Sequence, residues 1–178
     1  MNDHRDWELH GMIRAAQSVT RDWQLVNQRV IEGVRVKEIT AVMTEYGSLT
    51  EVYRSEWMLD DGSVGQVFGS SFEPGRISGW HAHAETTDRL FVAAGRMRIV
   101  LYDSRKKSAT FGLVNEFRFG DGRPALVVVP PQVWHGVENV TAGPALLLNV
   151  VDTAYQYESP DHYRLPLDTD QIPYRFGR

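Results

Sequence analysis

From about residue 28 onward the chain is a succession of short apolar runs, each broken within a few residues by Gly, Pro, Asp or Asn. Helices need longer stretches with a 3.6-residue period. Strands tolerate this punctuation because each run spans the core once and then turns. The pattern predicts strands over 30–32, 37–43, 50–58, 63–73, 77–83, 88–94, 96–102, 113–119, 125–129, 134–139 and 144–152. The segment RMRIVLY (96–102) reads as half-buried, and ALVVV (125–129) as buried on both faces. Many short strands with regular turn signals predict an all-β sandwich or barrel. Residues 1–20 have weak helical periodicity, and 1–27 are expected to form an arm or a short helix. The tail 153–178 carries Pro160, Pro166 and Pro173 and is expected to wrap the barrel in an ordered path. With no linker or repeat, and 178 residues in all, 28–178 reads as a single domain.

Composition narrows the function classes. The formal net charge is −4, so no bulk attraction to nucleic acid or an anionic membrane is expected. Cysteine is absent, which excludes disulfides, thiolate nucleophiles and cysteine-ligated zinc. The N-terminal MNDHRDWELH is too polar for a signal peptide, and no run of 18 apolar residues occurs. These features predict a cytoplasmic protein.

The chemistry gathers in GWHAHAETTDRLFVAAG (79–95). In a strand, residues i and i+2 share a face, so His81 and His83 point together while Trp80 and Ala82 point away. Asp88 opens the next strand, and antiparallel pairing of the two would bring it near both histidines. A second signal, PPQVWHGVEN (130–139), places His135 beyond a proline-led turn. His4, His10 and His162 have no evident partners and are expected at the surface.

The spacing from Gly75 through His81, His83 and Asp88 to Gly95 resembles the first cupin motif, with Asp where Glu is usual. Pro130, His135 and Asn139 resemble the second motif, with Gln132 where Gly is usual. The resemblance implies a double-stranded β-helix, the cupin jelly roll. In metal-binding cupins the ligands would fall on His81, His83, Asp88 and His135. Three imidazoles and a carboxylate suit Fe, Mn, Ni, Cu or Zn with positions left open for substrate.

A wider resemblance covers roughly residues 45–176. The pieces GSLTEVYRSEW (47–57), VGQVF (64–68), SGWH (78–81), GRMRIVLYDSR (95–105), VVVPPQVWHGV (127–137) and VDTAYQYESPDHYRLPLD (151–168) are similar to the dTDP-4-dehydrorhamnose 3,5-epimerase family, cupins that work without metal. The resemblance implies that His81 abstracts a proton beside a sugar ketone, that Asp168 orients it, and that His135 lies beside the substrate. Candidate substrate contacts are Glu51, Gln66, Arg76, Arg89, Trp134 as a pocket wall, and Tyr157 as a stacking partner. The family's enolate-stabilising lysine falls at Asp88, its acid tyrosine at Asn149 or Val150, and a phosphate-binding arginine at Ser78. Arg76, two residues before Ser78, is the expected substitute. A narrower likeness, limited to the HAH strand and the WH turn, is to the sugar-nucleotide 3,4-ketoisomerases.

Histidine suits proton abstraction α to a carbonyl, because its ordinary pKa lies near neutrality. A carboxylate on its far nitrogen would fix the tautomer and stabilise the imidazolium. The expected activity is therefore a sugar-nucleotide epimerase or isomerase acting beside a 4-keto group, as a homodimer and with no cofactor. Two alternatives stay open: a metal-dependent cupin using the three-His, one-Asp set with Mn, Fe, Ni or Zn, and a carbohydrate-binding cupin without turnover.

Overall fold

The computed structural model describes residues 7, 9–21 and 29–177. Two five-stranded antiparallel sheets face each other. The first runs β1 (Arg35–Glu38), β9 (Ala125–Val129), β6 (Asp88–Ala94), β11 (Ala145–Val151) and β4 (Gln66–Phe72). The second runs β12 (Tyr163–Arg164), β5 (Ile77–Ala82), β10 (Val133–Asn139), β7 (Arg96–Asp103) and β8 (Val114–Gly120). A separate hairpin joins β2 (Val42–Thr44) to β3 (Gly47–Leu49).

Strand alternation builds the core. Leu90 and Val92 from β6, Val127 and Val129 from β9, and Leu147 from β11 meet Met97, Ile99 and Leu101 from β7 and Val137 from β10. All are buried, which makes the inter-sheet layer the main apolar store of the fold. Gly95 turns β6 into β7 at φ +75, where a Cβ would lie 2.8 Å from that of Ala145. A side chain is therefore excluded there twice over.

Part of each sheet's outer face is buried as well. On the second sheet, Trp80 and Val100 are covered by the tail, which contributes Ile172, Tyr174 and Phe176. On the first, Arg89 is fully buried and paired to Asp60 by Nε–Oδ2 and Nη2–Oδ1 contacts of 2.6 and 3.0 Å. The Tyr53 ring stacks on the same guanidinium at 5.1 Å.

Three expected strands take other forms: 37–43 is divided between β1 and β2 by a break at 39–41, and two others are not strands. In 30–32, Ile31 N–H donates to Asn115 Oδ1 and Glu32 N–H to Thr110 Oγ1, so side chains satisfy backbone groups that a ladder would otherwise hold. In 50–58, only the 3-10 turn Ser55–Trp57 forms. Its aromatics anchor the segment instead, with Trp57 against Lys37 and Tyr53 against Arg89. Of 1–27, residues 7 and 9–21 are described and contain no helix; the rest of the expected arm lies outside the described residues.

Candidate active site

The two histidine strands are neighbours, and His81 on β5 stands directly opposite His135 on β10. A register shift follows at once, so that Val137 next pairs with Ser78. The bulge turns Ser78 as well as His81 toward the inter-sheet space. Close approach of the strands needs Gly79 and Gly136, since a Cβ on Gly79 would lie 2.8 Å from Gly136 Cα. The ring centroids of His81 and His135 are consequently 4.0 Å apart.

Asp88 opens β6 on the opposing sheet and is 2% exposed. Its Oδ2 lies 3.1 Å from Nε2 of His83 and 3.1 Å from Nε2 of His135. Neither N–H is squarely aligned with that oxygen. Its Oδ1 accepts a 2.6 Å hydrogen bond from Asn149 Nδ2. His135 Nδ1 donates to the Val133 carbonyl at 3.1 Å, and His83 Nδ1 donates to the Asp161 carbonyl.

Environment drives the two same-face histidines apart. Burial, followed by the neighbouring His135, pushes His81 down to about 2. Burial works the same way on His83, but the Asp88 carboxylate and then Asp161 outweigh it and raise its pKa. Burial acts to raise the Asp88 pKa, and His135 and His83 overcome it and hold Asp88 well below the carboxylate range. The surroundings therefore favour a neutral His81, the protonated form of His83 and an ionised Asp88. His81 Nδ1 is buried with no hydrogen-bond partner, so its ring is unencumbered.

A fourth histidine joins this group. His162, expected at the surface, is half-buried with its ring 5.3 Å from His81 and 5.2 Å from His83. Burial and then Arg164 lower its pKa, and its Nε2 is buried without a partner. Asp161 fixes it there by accepting the backbone N–H groups of Ala84, Glu85 and Thr86 at 2.6, 2.9 and 2.9 Å. No periodicity in 153–165 signals this contact, which spans some eighty positions of sequence.

The cluster forms the floor of a cavity of about 380 Å³. Gln66, Phe68 and Leu147 line one wall, and Thr153, Tyr155 and Gln156 the rim. Gln66 Oε1 accepts the Tyr155 N–H at 2.9 Å, tying rim to wall.

Other candidates lie elsewhere. Asp168 is exposed in the turn at 167–168 and is not among the cavity residues; the carboxylate beside the histidines is Asp88. Arg89 is committed to Asp60 behind the first sheet, because a one-residue step along β6 reverses the side chain. Trp134 packs with Trp80 and Val100 on the outer face of the second sheet and is no pocket wall. Arg76 is exposed in the turn before β5, and Glu51 is paired with Arg54. Tyr157 is 86% exposed and meets Tyr155 edge-to-face, and Tyr155 itself reaches the cavity.

The nearest ring nitrogens of His81, His83 and His135 fall within 4.8 Å of one another, close enough to hold one divalent ion. Such an ion would need His83 as a neutral donor, whereas Asp88 favours its protonated form.

The polysaccharide biosynthesis C-terminal domain family matches residues 43–163. The chain belongs to this family. A relative described as a probable low-salt glycan biosynthesis epimerase, from Haloferax volcanii, is 33% identical over 139 residues, covering 78% of this chain and 89% of that protein. Among solved structures, a dTDP sugar isomerase from Desulfovibrio desulfuricans superposes with a TM-score of 0.76 at 29% identity, covering 81% of this chain and 90% of the other. A dTDP-4-dehydrorhamnose 3,5-epimerase from Elizabethkingia anophelis superposes with a TM-score of 0.72 at 19% identity, covering 85% of each, a likeness of fold. The architecture is thus the cupin jelly roll expected from the motifs. No helix among the described residues is long and apolar enough to cross a membrane.

Proposed function

We propose that the protein is a sugar-nucleotide epimerase or isomerase of glycan biosynthesis that moves a proton on carbon beside a 4-keto group. One observation carries the reading: an unbonded, neutral His81 faces the cavity beside a His83 whose protonated form Asp88 favours. Neighbouring titratable groups whose environments drive their pKa values apart divide naturally into base and acid. His81 takes the α-proton. A pKa near 2 lies far below the value that suits a base at neutral pH, so the reading requires bound substrate to raise it, and inversion requires a second group to reprotonate the carbon from the opposite face. His135, expected beside the substrate, is 1% exposed, is not among the cavity residues and turns its Nε2 to Asp88. His83, whose protonated form Asp88 favours, supplies an N–H for the enolate oxygen. That is the role a lysine plays at position 88 in the resembling family. Asp88 does the work expected of Asp168, stabilising imidazolium charge on the cluster.

Three coarser assignments accompany this reading. Residues 28–178 act as one cupin domain, and a cytoplasmic setting goes with a sugar-nucleotide substrate. The protein works as a homodimer. Support comes from two exposed apolar features: the hairpin β2–β3, with Val42, Met43 and Leu49, and the edge strand β4, with Val67 and Phe68. Light scattering showing a monomer at micromolar concentration would overturn the dimer.

The reaction is tested by solvent deuterium uptake into a nucleotide-linked 4-keto-6-deoxy sugar. Wild type should exchange the proton next to the ketone, and His81→Asn should lose it by at least about 10²-fold. No uptake by wild type, or undiminished uptake by His81→Asn, removes the assignment.

A further inference from the structure

Arg164 is the one lysine or arginine among the described residues that line the cavity. Its guanidinium makes no hydrogen bond or ion pair with any described residue. The contrast with other arginines is sharp: Arg89 is paired with Asp60, Arg98 with Glu138 and Arg105 with Asp103. Cavity carboxylates cannot neutralise it either. Asp161 is occupied by three backbone N–H groups and the Thr86 hydroxyl, and Asp88 by Asn149 and two histidines.

Position explains what such a charge is placed to do. In the β12–β5 pair Arg164 stands directly opposite His81. Opposed residues of an antiparallel pair share a face, about 5 Å apart at Cβ. Arg164 therefore shares the histidine face of the cavity, whose lining also includes the uncharged Ser78. A free guanidinium fork beside a partly apolar pocket matches a phosphoryl group, which it binds through paired charged hydrogen bonds.

We propose that Arg164 binds the diphosphate of a nucleoside-diphosphate sugar, with the sugar ring directed to His81 and the diphosphate lying over β12. The inference deepens the epimerase reading by naming the residue that selects a diphosphate-linked substrate. The binding itself does not depend on turnover.

Calorimetric titration tests it with dTDP, UDP and thymidine against wild type, Arg164→Gln and Arg164→Lys. Arg164 is exposed, so both variants should keep the wild-type melting temperature. A nucleoside diphosphate should bind wild type and lose about tenfold or more in affinity in R164Q, with R164K between them. Thymidine should not distinguish the three proteins, and added salt should weaken diphosphate binding less in R164Q than in wild type. Equal diphosphate affinity in wild type and R164Q overturns the role of Arg164. So does a wild type that binds neither diphosphate. Arginine-dependent binding without deuterium exchange on any 4-keto sugar would leave this inference standing while the epimerase reading falls.

Discussion

Asp88 Oδ2 stands 3.1 Å from Nε2 of His83 and at the same distance from Nε2 of His135, so one carboxylate of β6 serves histidines from the β5 and β10 side of the cavity. It is the only acid touching both rings among the described contacts. Asp88→Asn keeps the shape and the Asn149 contact but removes the charge. Burial would then dominate His83, and its pKa should fall from above the ordinary histidine value to below it. Deuterium exchange should drop by about 10²-fold or more. Loss of a buried charge partner should cost about 3 kcal/mol of stability. Histidine NMR titration read beside the exchange rate checks both parts. Exchange within about twofold of wild type would mean that Asp88 organises nothing.

His81 gives the fold an acid weakness with a defined window. Its pKa is about 2 in the folded protein and near 6.5 when unfolded, so the unfolded chain binds the extra proton as pH falls. The stability from keeping His81 neutral is complete above about pH 6.5 and declines below it. The decline approaches about 1.4 kcal/mol per pH unit, or about 2 kcal/mol between pH 7 and pH 5. His83 runs the other way, since its pKa is raised on folding. Its contribution is full below about pH 6.5 and is lost only as pH climbs through its folded value. Urea unfolding at pH 5, 6 and 7 should therefore show a slope in wild type that is shallower by about one proton in His81→Asn. Parallel slopes would show that His81 is not a buried neutral base.

Much of this site was legible from spacing alone. A period of two puts His81 and His83 on one face, which is a local fact; the expected pairing of their strand with that of Asp88 does not form, since β5 and β6 lie in opposite sheets and Asp88 reaches the histidines across the space between them. Strands 88–94 and 125–129 match the structure to the residue for the same reason. What escaped was set by distant partners. His162 joins the cluster only because Asp161 clamps the loop at 84–86, and sequence carries no trace of that pairing. Trp134 and Arg89 were candidates by proximity in sequence to His135 and Asp88, yet strand alternation sends both behind their sheets. Segment 50–58 has strand-like aromatics, but they serve as anchors for Lys37 and Arg89.

A cation at the three ring nitrogens would compete with the acid–base arrangement, since binding must strip the proton that Asp88 keeps on His83. Untagged protein dialysed against EDTA should retain its full rate of deuterium exchange. Added Mn, Fe, Ni or Zn should leave the rate unchanged or lower it. Elemental analysis alongside should show far less than one metal per chain. Exchange that vanishes on chelation and returns with one of these ions would move the chemistry from His81 to the metal.

The second histidine motif carries a backbone cost that glycine would relieve. Gln132 holds φ at +65 in the turn between β9 and β10. Its N–H donates to the His83 carbonyl at 2.6 Å, so this turn braces the end of the strand that presents His83. A left-handed conformation costs a residue with a Cβ about 1–2 kcal/mol, and glycine offsets part of that gain through its greater freedom when unfolded. The Gln132 side chain is exposed, and its contact with the Ala84 carbonyl is long at 3.4 Å. Gln132→Gly should therefore stabilise the protein by about 0.5–1 kcal/mol, raising the melting temperature by about 1–4 °C. Gln132→Val should lower it, because a β-branched side chain suits that conformation least. Catalysis should be unchanged in Gln132→Gly, since the amide that braces His83 remains. A glycine variant that melts below wild type would show that the turn is held by the glutamine side chain rather than by its backbone.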